Sequence, residues 1–232
     1  MTQDITRSLS AIKLLSDIDK GELALIEARC GWRHFTPQQQ IIDRHSDSRD
    51  VYFITQGTVR VVNYSISGRE ISFDDINKGA IFGELSAIDG EPRSANVVAI
   101  THTVVANMSP AVFQEMLSEH PNVALILMKR LAGIIRTSVE RIMDLSTLGA
   151  NNRVYAELLR LARLQTEGDK TSTISPVPNH SDVASRVSTT RETVARVFGE
   201  LAKNGMIKKS SNKLVVTDVD RLQGMVEQFR GD

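Results

Sequence analysis

The 232-residue sequence predicts an α+β chain in three parts: an N-terminal β-barrel or jelly roll, one long helix, and a C-terminal set of short helices with a β-hairpin wing. Three observations support this. Between Cys30 and Met108, short β-rich runs are punctuated by Gly57, Gly68, Gly79 and Gly90, as in small barrels and jelly rolls. From Asn122 to Ser146 the period becomes helical, with one glycine and no proline. Beyond Asn151 the apolar residues fall into short helical repeats, and the chain then alternates about Ser210-Ser-Asn-Lys213.

In chain order, residues 9–30 read as helix, with Leu14, Leu15, Leu23, Ile26 and Ala28 apolar. Strands are expected at 51–54, 58–62, 71–73, 94–99 and 103–108. Ser109-Pro110 is a helix start, with Ser as cap and Pro at the first helical position. Pro121 ends that helix or begins the next. On Asn122–Ser146, Met128, Leu131, Ile135, Ser138, Ile142 and Leu145 are spaced three and four apart, as two wrapped helices require. The same stripe could also be one face of a buried helix. Leu148–Asn152 reads as a hinge, Arg153–Leu164 as an amphipathic helix, and Thr166–Pro178 as a polar connector that can hold short strands. Helices His180–Val187 and Thr190–Asn204, split by Ser188-Thr189, precede the wing, and a final helix spans about Asp218–Arg230. The divisions are 1–121, 122–147 and 148–232.

Lys and Arg number 28, as do Asp and Glu. From Asn151 onward there are 13 basic and 10 acidic residues, against 15 and 18 before it. A basic region in an otherwise acidic chain is the electrostatic footprint of a nucleic-acid reader, and equally of a solvated charged surface. The lone Cys30 excludes an internal disulfide and a cysteine-built zinc or iron–sulfur site. No window approaches the ~18 consecutive apolar residues of a membrane span. The first residues carry no secretory pattern, so a cytoplasmic location is expected. No Walker motif, metal-ligand spacing or Ser/His/Asp arrangement points to an enzyme.

Ile81-Phe-Gly-Glu-Leu-Ser-Ala-Ile-Asp-Gly-Glu-Pro-Arg-Ser-Ala95 has the parts of an anion cradle. Gly83 lets backbone N–H groups approach an anion, Glu84–Ser86 can begin a short helix, and Arg93 and Ser94 offer donors. Residue types alone also allow a surface loop with a Glu84–Arg93 ion pair. The segment His180–Leu201 has helix-turn-helix spacing, with Thr190 able to cap the second helix and Arg191, Glu192 and Arg196 projecting outward. Arginine suits guanine O6/N7, and glutamate suits the cytosine amino group.

From about Leu14 to the C-terminus the chain resembles the catabolite-activator/fumarate–nitrate regulator (Crp/Fnr) family. GELSAIDGEPRSA is similar to that family's phosphate-binding cassette, and Arg191-Glu-Thr-Val-Ala-Arg196 to its DNA-reading motif. The resemblance implies a cyclic-nucleotide-binding jelly roll, a dimerisation helix and a winged helix-turn-helix. It gives Glu84 the ribose hydroxyl and Arg93 and Ser94 the cyclic phosphate, with Gly83, Leu85, Ser86 and Ala95 completing the cassette. Thr137 and Ser138 match a pair that meets the purine across the dimer seam. On residues alone, Ser138 could instead bond its own helix. Arg191, Glu192, Arg196, Ser181, Thr190 and the wing's Lys208 and Lys209 are the implied DNA contacts. The implied partners are cyclic AMP or cyclic GMP, double-stranded DNA with a palindromic TGTGA-like operator, a second copy of the chain and RNA polymerase. The insert between Glu84 and Arg93 is one residue shorter than in the family's cyclic-AMP activator, Pro92 precedes the arginine, and Ser188 stands where glycine is frequent. Iron–sulfur sensing needs more cysteines, and haem would rest on isolated His34, His45 or His102. The alternative is a ligand-independent regulator with a vestigial barrel.

Overall fold

The computed structural model describes residues 7–164 and 170–230. The connector's residues 166–169 lie outside this range. Two compact units emerge. The first takes in the chain up to Ser65 with Ser72–Gly133; the second takes in Ile66–Ile71 and the chain from Ile134 onward.

In the first unit the single N-terminal helix expected over 9–30 is divided. A 3-10 turn covers Lys13–Leu15, and α1 covers Lys20–Ala28. The cause is local. Extended Asp19 caps α1, its carboxylate accepting from the amides of Gly21 and Glu22, so the helix cannot run through it.

Eight strands follow: β1 Gly31–Phe35, β2 Gln40–Ile42, β3 Val51–Gln56, β4 Thr58–Tyr64, β5 Glu70–Asn77, β6 Ile81–Phe82, β7 Asn96–Ala99 and β8 Thr103–Met108. They form two four-stranded sheets, ordered β1-β8-β3-β6 and β2-β7-β4-β5. The short helix α2, Glu84–Asp89, lies between β6 and β7. Strand β3 is buried from Val51 to Thr55 without alternation. Its two faces serve different cores. Tyr52 and Ile54 pack with Val59, Phe82, Val97 and Val105. Val51 and Phe53 pack with Phe113 and Met116 of α3 (Pro110–Glu119) and with Val123 and Leu127 of α4 (Pro121–Thr147). A strand covered on both faces reads as one continuous apolar run.

The second unit contains α5 Ala150–Arg163, β9 Ser172–Ile174, α6 His180–Arg186, α7 Arg191–Lys203, β10 Ile207–Ser210, β11 Lys213–Val216 and α8 Val219–Arg230. The sheet runs β10-β11-β9, antiparallel throughout. Val154, Leu158, Val183, Val194, Val197, Leu201, Leu222 and Val226 form its core. The five-residue break expected at Leu148–Asn152 is shorter. Only Leu148 and Gly149 separate α4 from α5, and Asn151 and Asn152 are already helical. Extended Gly149 caps α5, its carbonyl accepting from the amide of Arg153, and Leu148 is buried in the core.

Candidate functional site

Gly83 joins β6 to α2 with φ of 79°, in the left-handed region. A Cβ there would stand 2.9 Å from Arg93 Nη1 and 3.0 Å from the Asp50 carbonyl oxygen. Glycine is thus needed twice, for its dihedral angle and for the close approach of the guanidinium.

Arg93 is 4% exposed. It donates from Nη1 to the Gly83 carbonyl at 2.8 Å, and from Nη2 to the Asp50 carbonyl at 2.8 Å and to Ser48 Oγ at 3.2 Å. Its Nε is buried without a hydrogen-bond partner among the described residues. Burial lowers the pKa of the guanidinium, against the pull of Tyr52, Asp50 and Glu84, but arginine stays charged at any ordinary pH. A buried cation held by neutral oxygens, with one donor left over, suits an anion arriving at the start of α2.

Glu84 and Arg93 do not form the ion pair that a surface loop would favour. Glu84, buried at the first position of α2, faces Arg130 Nη1 of α4 at 3.6 Å. Arg130 Nη2 also donates to the Ile81 carbonyl at 2.8 Å. Arg130 escaped the sequence reading. Its signal is positional: it follows Val123 and Leu127 on the core-facing side of α4, where a charge needs a partner. Ser86 and Ala95 are buried, while Leu85 and Ser94 are exposed. The Ser94 carbonyl accepts from Asn63 Nδ2 at 3.2 Å.

The cassette therefore comes together inside the first unit. Thr137 and Ser138 belong to the second-unit stretch of α4. The Ser138 hydroxyl donates to the Ile134 carbonyl one turn back at 2.8 Å. Along the expected seam Met128, Ile135, Ile142 and Leu145 are 58%, 64%, 61% and 45% exposed, whereas Leu131 packs partly against the first unit's core. Cys30 donates to the Ile26 carbonyl, and burial followed by Glu27 pushes its thiol up to about 11. It is therefore a poor nucleophile.

In the second unit, α6 is capped by Asn179 and α7 by Thr190, whose hydroxyl accepts from the Thr193 amide at 3.2 Å. Between them Ser188 adopts φ of 50°, the left-handed turn position for which glycine is better suited. Arg153, at the start of α5, braces this turn. It donates to the carbonyls of Val187, Ser188 and Leu148 at 2.8, 3.1 and 2.9 Å.

Ser181, Thr190, Arg191, Glu192 and Arg196 are all exposed at the starts of α6 and α7 or one turn further. Glu192's own amide and the Thr190 hydroxyl hold its carboxyl below the usual range. Arg196 donates to Asn151 Oδ1 at 2.9 Å. Lys208 and Lys209 are exposed on β10, opposite Val215 and Leu214 of β11. An exposed helix start rich in arginine, beside a basic hairpin, can meet a base edge and a phosphate backbone together.

Comparison with known proteins agrees with both halves. The model of the cyclic nucleotide-binding domain matches residues 32–120, and that of the Crp-like helix-turn-helix domain matches residues 152–225. The chain is 26% identical over 173 residues to the CRP-like cAMP-activated global transcriptional regulator of Mycobacterium tuberculosis, covering 74% of this chain and 77% of that one. It is 27% identical over 193 residues to the cAMP-activated global transcriptional regulator Vfr of Pseudomonas aeruginosa, covering 82% and 90%. Among solved structures it resembles a CooA mutant from Carboxydothermus hydrogenoformans, with TM-score 0.79 and 18% identity over 93% of this chain and 95% of that one. The chain belongs to the Crp/Fnr family. It is a DNA-binding transcription regulator carrying a cyclic nucleotide-binding domain.

Proposed function

We propose that the protein is a homodimeric regulator whose DNA binding is controlled by a 3′,5′-cyclic purine nucleotide, cyclic AMP ahead of cyclic GMP. The observation that carries the reading is Arg93, a buried guanidinium with neutral partners and an unsatisfied Nε beside Gly83 and α2. The names of the relatives above, as cAMP-activated regulators, support cyclic AMP.

Residues 1–121 form the sensing part, 122–147 the dimer seam and 148–232 the reader. Glu84 accepts the ribose hydroxyl, releasing its hold on Arg130. Arg93 and Ser94 take the phosphate, and Gly83, Leu85, Ser86 and Ala95 shape the loop. The exposed apolar stripe of α4 pairs with a second copy, and Thr137 and Ser138 present hydroxyls to the purine there. A nucleotide shifts the population only by binding the active arrangement more tightly, and a bridge to the partner's helix supplies that difference.

The reader dimer takes a palindrome of TGTGA-like half-sites about one helical turn apart, ~34 Å. Arg191 and Arg196 read guanine, Glu192 reads cytosine, and Ser181, Thr190, Lys208 and Lys209 hold the backbone. RNA polymerase is the downstream partner, and the location is cytoplasmic.

The test is calorimetric titration of cyclic AMP and cyclic GMP into the full chain, paired with binding-site selection with and without nucleotide. Saturable cyclic-AMP binding that sharpens selection of a palindrome is expected. Palindrome selection without nucleotide binding would instead establish the ligand-independent reading. The absence of both would overturn the proposal.

A further inference from the structure

The second unit holds a buried ion cluster outside both the cassette and the DNA-facing surface. Its centre is Glu157, on the inner face of α5, 5% exposed. Arg160 of the same helix donates to both its oxygens, at 2.9 and 2.6 Å. Arg186, in the last turn of α6, donates to Oε1 at 3.2 Å. Arg141 of α4 stands 4.0 Å from Oε2. Burial would raise the Glu157 pKa, yet the Arg160 hydrogen bonds, with Arg186 and Arg141 behind them, keep it below the usual range. One carboxylate therefore meets arginines from three successive helices.

Such a cluster is a poor device for stability. Taking the charges out of water costs about as much as their attraction returns, and packed apolar side chains of similar volume often do as well or better. An ion cluster contributes directionality, since a guanidinium fork accepts a carboxylate in few orientations. The surrounding contacts have the same effect. Arg153 ties the end of α4 to the turn after α6 through the Leu148, Val187 and Ser188 carbonyls, and Leu148 is sunk in the same core.

We propose that Glu157 is a positioning residue: through Arg141 and Arg186 it sets the angle of α6, the first helix of the reader, against the C-terminal half of α4. The reader then follows the C-terminal half of α4, so the separation of two readers in a dimer is fixed by this cluster as well as by the seam. The dimer consequence rests on the proposed function above; the positioning itself does not.

The experiment uses the full chain in a Cys30→Ser background, with spin labels at Glu140→Cys on α4 and Ser181→Cys on α6, diluted with unlabelled protein. Pulsed dipolar spectroscopy reads the intramolecular distance distribution. The test variant is Glu157→Leu/Arg186→Met, which replaces the most buried pair by apolar volume. Arg160 and Arg141, with side chains 21% and 24% exposed, can turn to water. Glu157→Gln, which keeps shape and removes charge, serves if the double variant does not fold.

The distribution is expected to broaden at least twofold, with a thermal midpoint near that of the wild type. On duplexes carrying two TGTGA half-sites, the unlabelled variant should also tolerate spacers one base pair longer or shorter that the wild type rejects tenfold or more, while single half-site binding is unchanged. A distribution as narrow as the wild type's, or a loss confined to thermal stability, overturns the proposal. A wild type without any spacer preference would count against the palindromic reading, and the spin-label distances would still decide the role of Glu157.

Discussion

Replacing Arg93 by alanine tests the sensing half most directly. In the folded chain this guanidinium spends three hydrogen bonds on the Gly83 carbonyl, the Asp50 carbonyl and Ser48 Oγ, and has a buried Nε left over. An anionic phosphate meeting that nitrogen gains a charge-assisted hydrogen bond, worth about 1.5–3 kcal/mol. At one decade per ~1.4 kcal/mol, the alanine variant should bind cyclic AMP about tenfold to 150-fold more weakly. Arg93→Lys keeps the charge but cannot bridge both carbonyls and the ligand, so its affinity should fall between the two. Isothermal titration calorimetry at fixed salt reads the change, with circular dichroism confirming that the sheets persist. Dissociation constants within about threefold of the wild type in both variants would mean that the cradle binds no phosphate through this residue, and the sensing argument would fail.

Four further outcomes follow from the same structure. Gly83→Ala places a Cβ 2.9 Å from Arg93 Nη1 at a φ of 79°; a loss of about 1–2 kcal/mol and weaker nucleotide binding are expected in denaturant titration and calorimetry. Ser188→Gly relieves the left-handed turn residue of the reader, and, after the entropy cost of glycine, should raise stability by roughly 0.5–1 kcal/mol in the same titration. Glu192→Ala should relax preference at a single base pair by about 1–3 kcal/mol in a binding-site selection and leave the other positions intact. Relative to its own protonated form, ionised Glu157, whose folded pKa lies below its unfolded value of about 4.3, stabilises the fold above that value, and this difference is lost as pH falls through the folded pKa. Acid unfolding of the second unit, followed by hydrogen exchange with Trp32 fluorescence reporting the first, should therefore be shallower in Glu157→Gln.

Local signals were the legible ones. The left-handed turn at Gly83 leading into α2, the Thr190 cap and the helical run through α4 each depend on residues close together in the chain, and the structure forms them where the pattern indicated. Features decided by distant partners were not legible. Strand β3 carries no alternation because helices cover its second face, so its apolar run gave no hint of which residues face which core. The engagement of Glu84 by Arg130 and of Glu157 by Arg186 spans 46 and 29 positions of the sequence. Periodicity registers none of this. The break between α4 and α5 is shorter than the sequence pattern suggests for a local reason: Asn151 and Asn152 have low helix propensity, but they stand in the opening turn of α5, where Asn151 Oδ1 also accepts from Arg196.

The proposed pairing of the exposed apolar stripe of α4 with a second copy would make abundance itself an input to this regulator. A recognition surface that exists only when two copies meet fills its target in proportion to the square of the free-chain concentration at low occupancy. Halving expression would then cost more than half the regulated output, whatever the nucleotide level. The cell would thus have a second dial beside the small molecule, turned by synthesis and degradation of the chain.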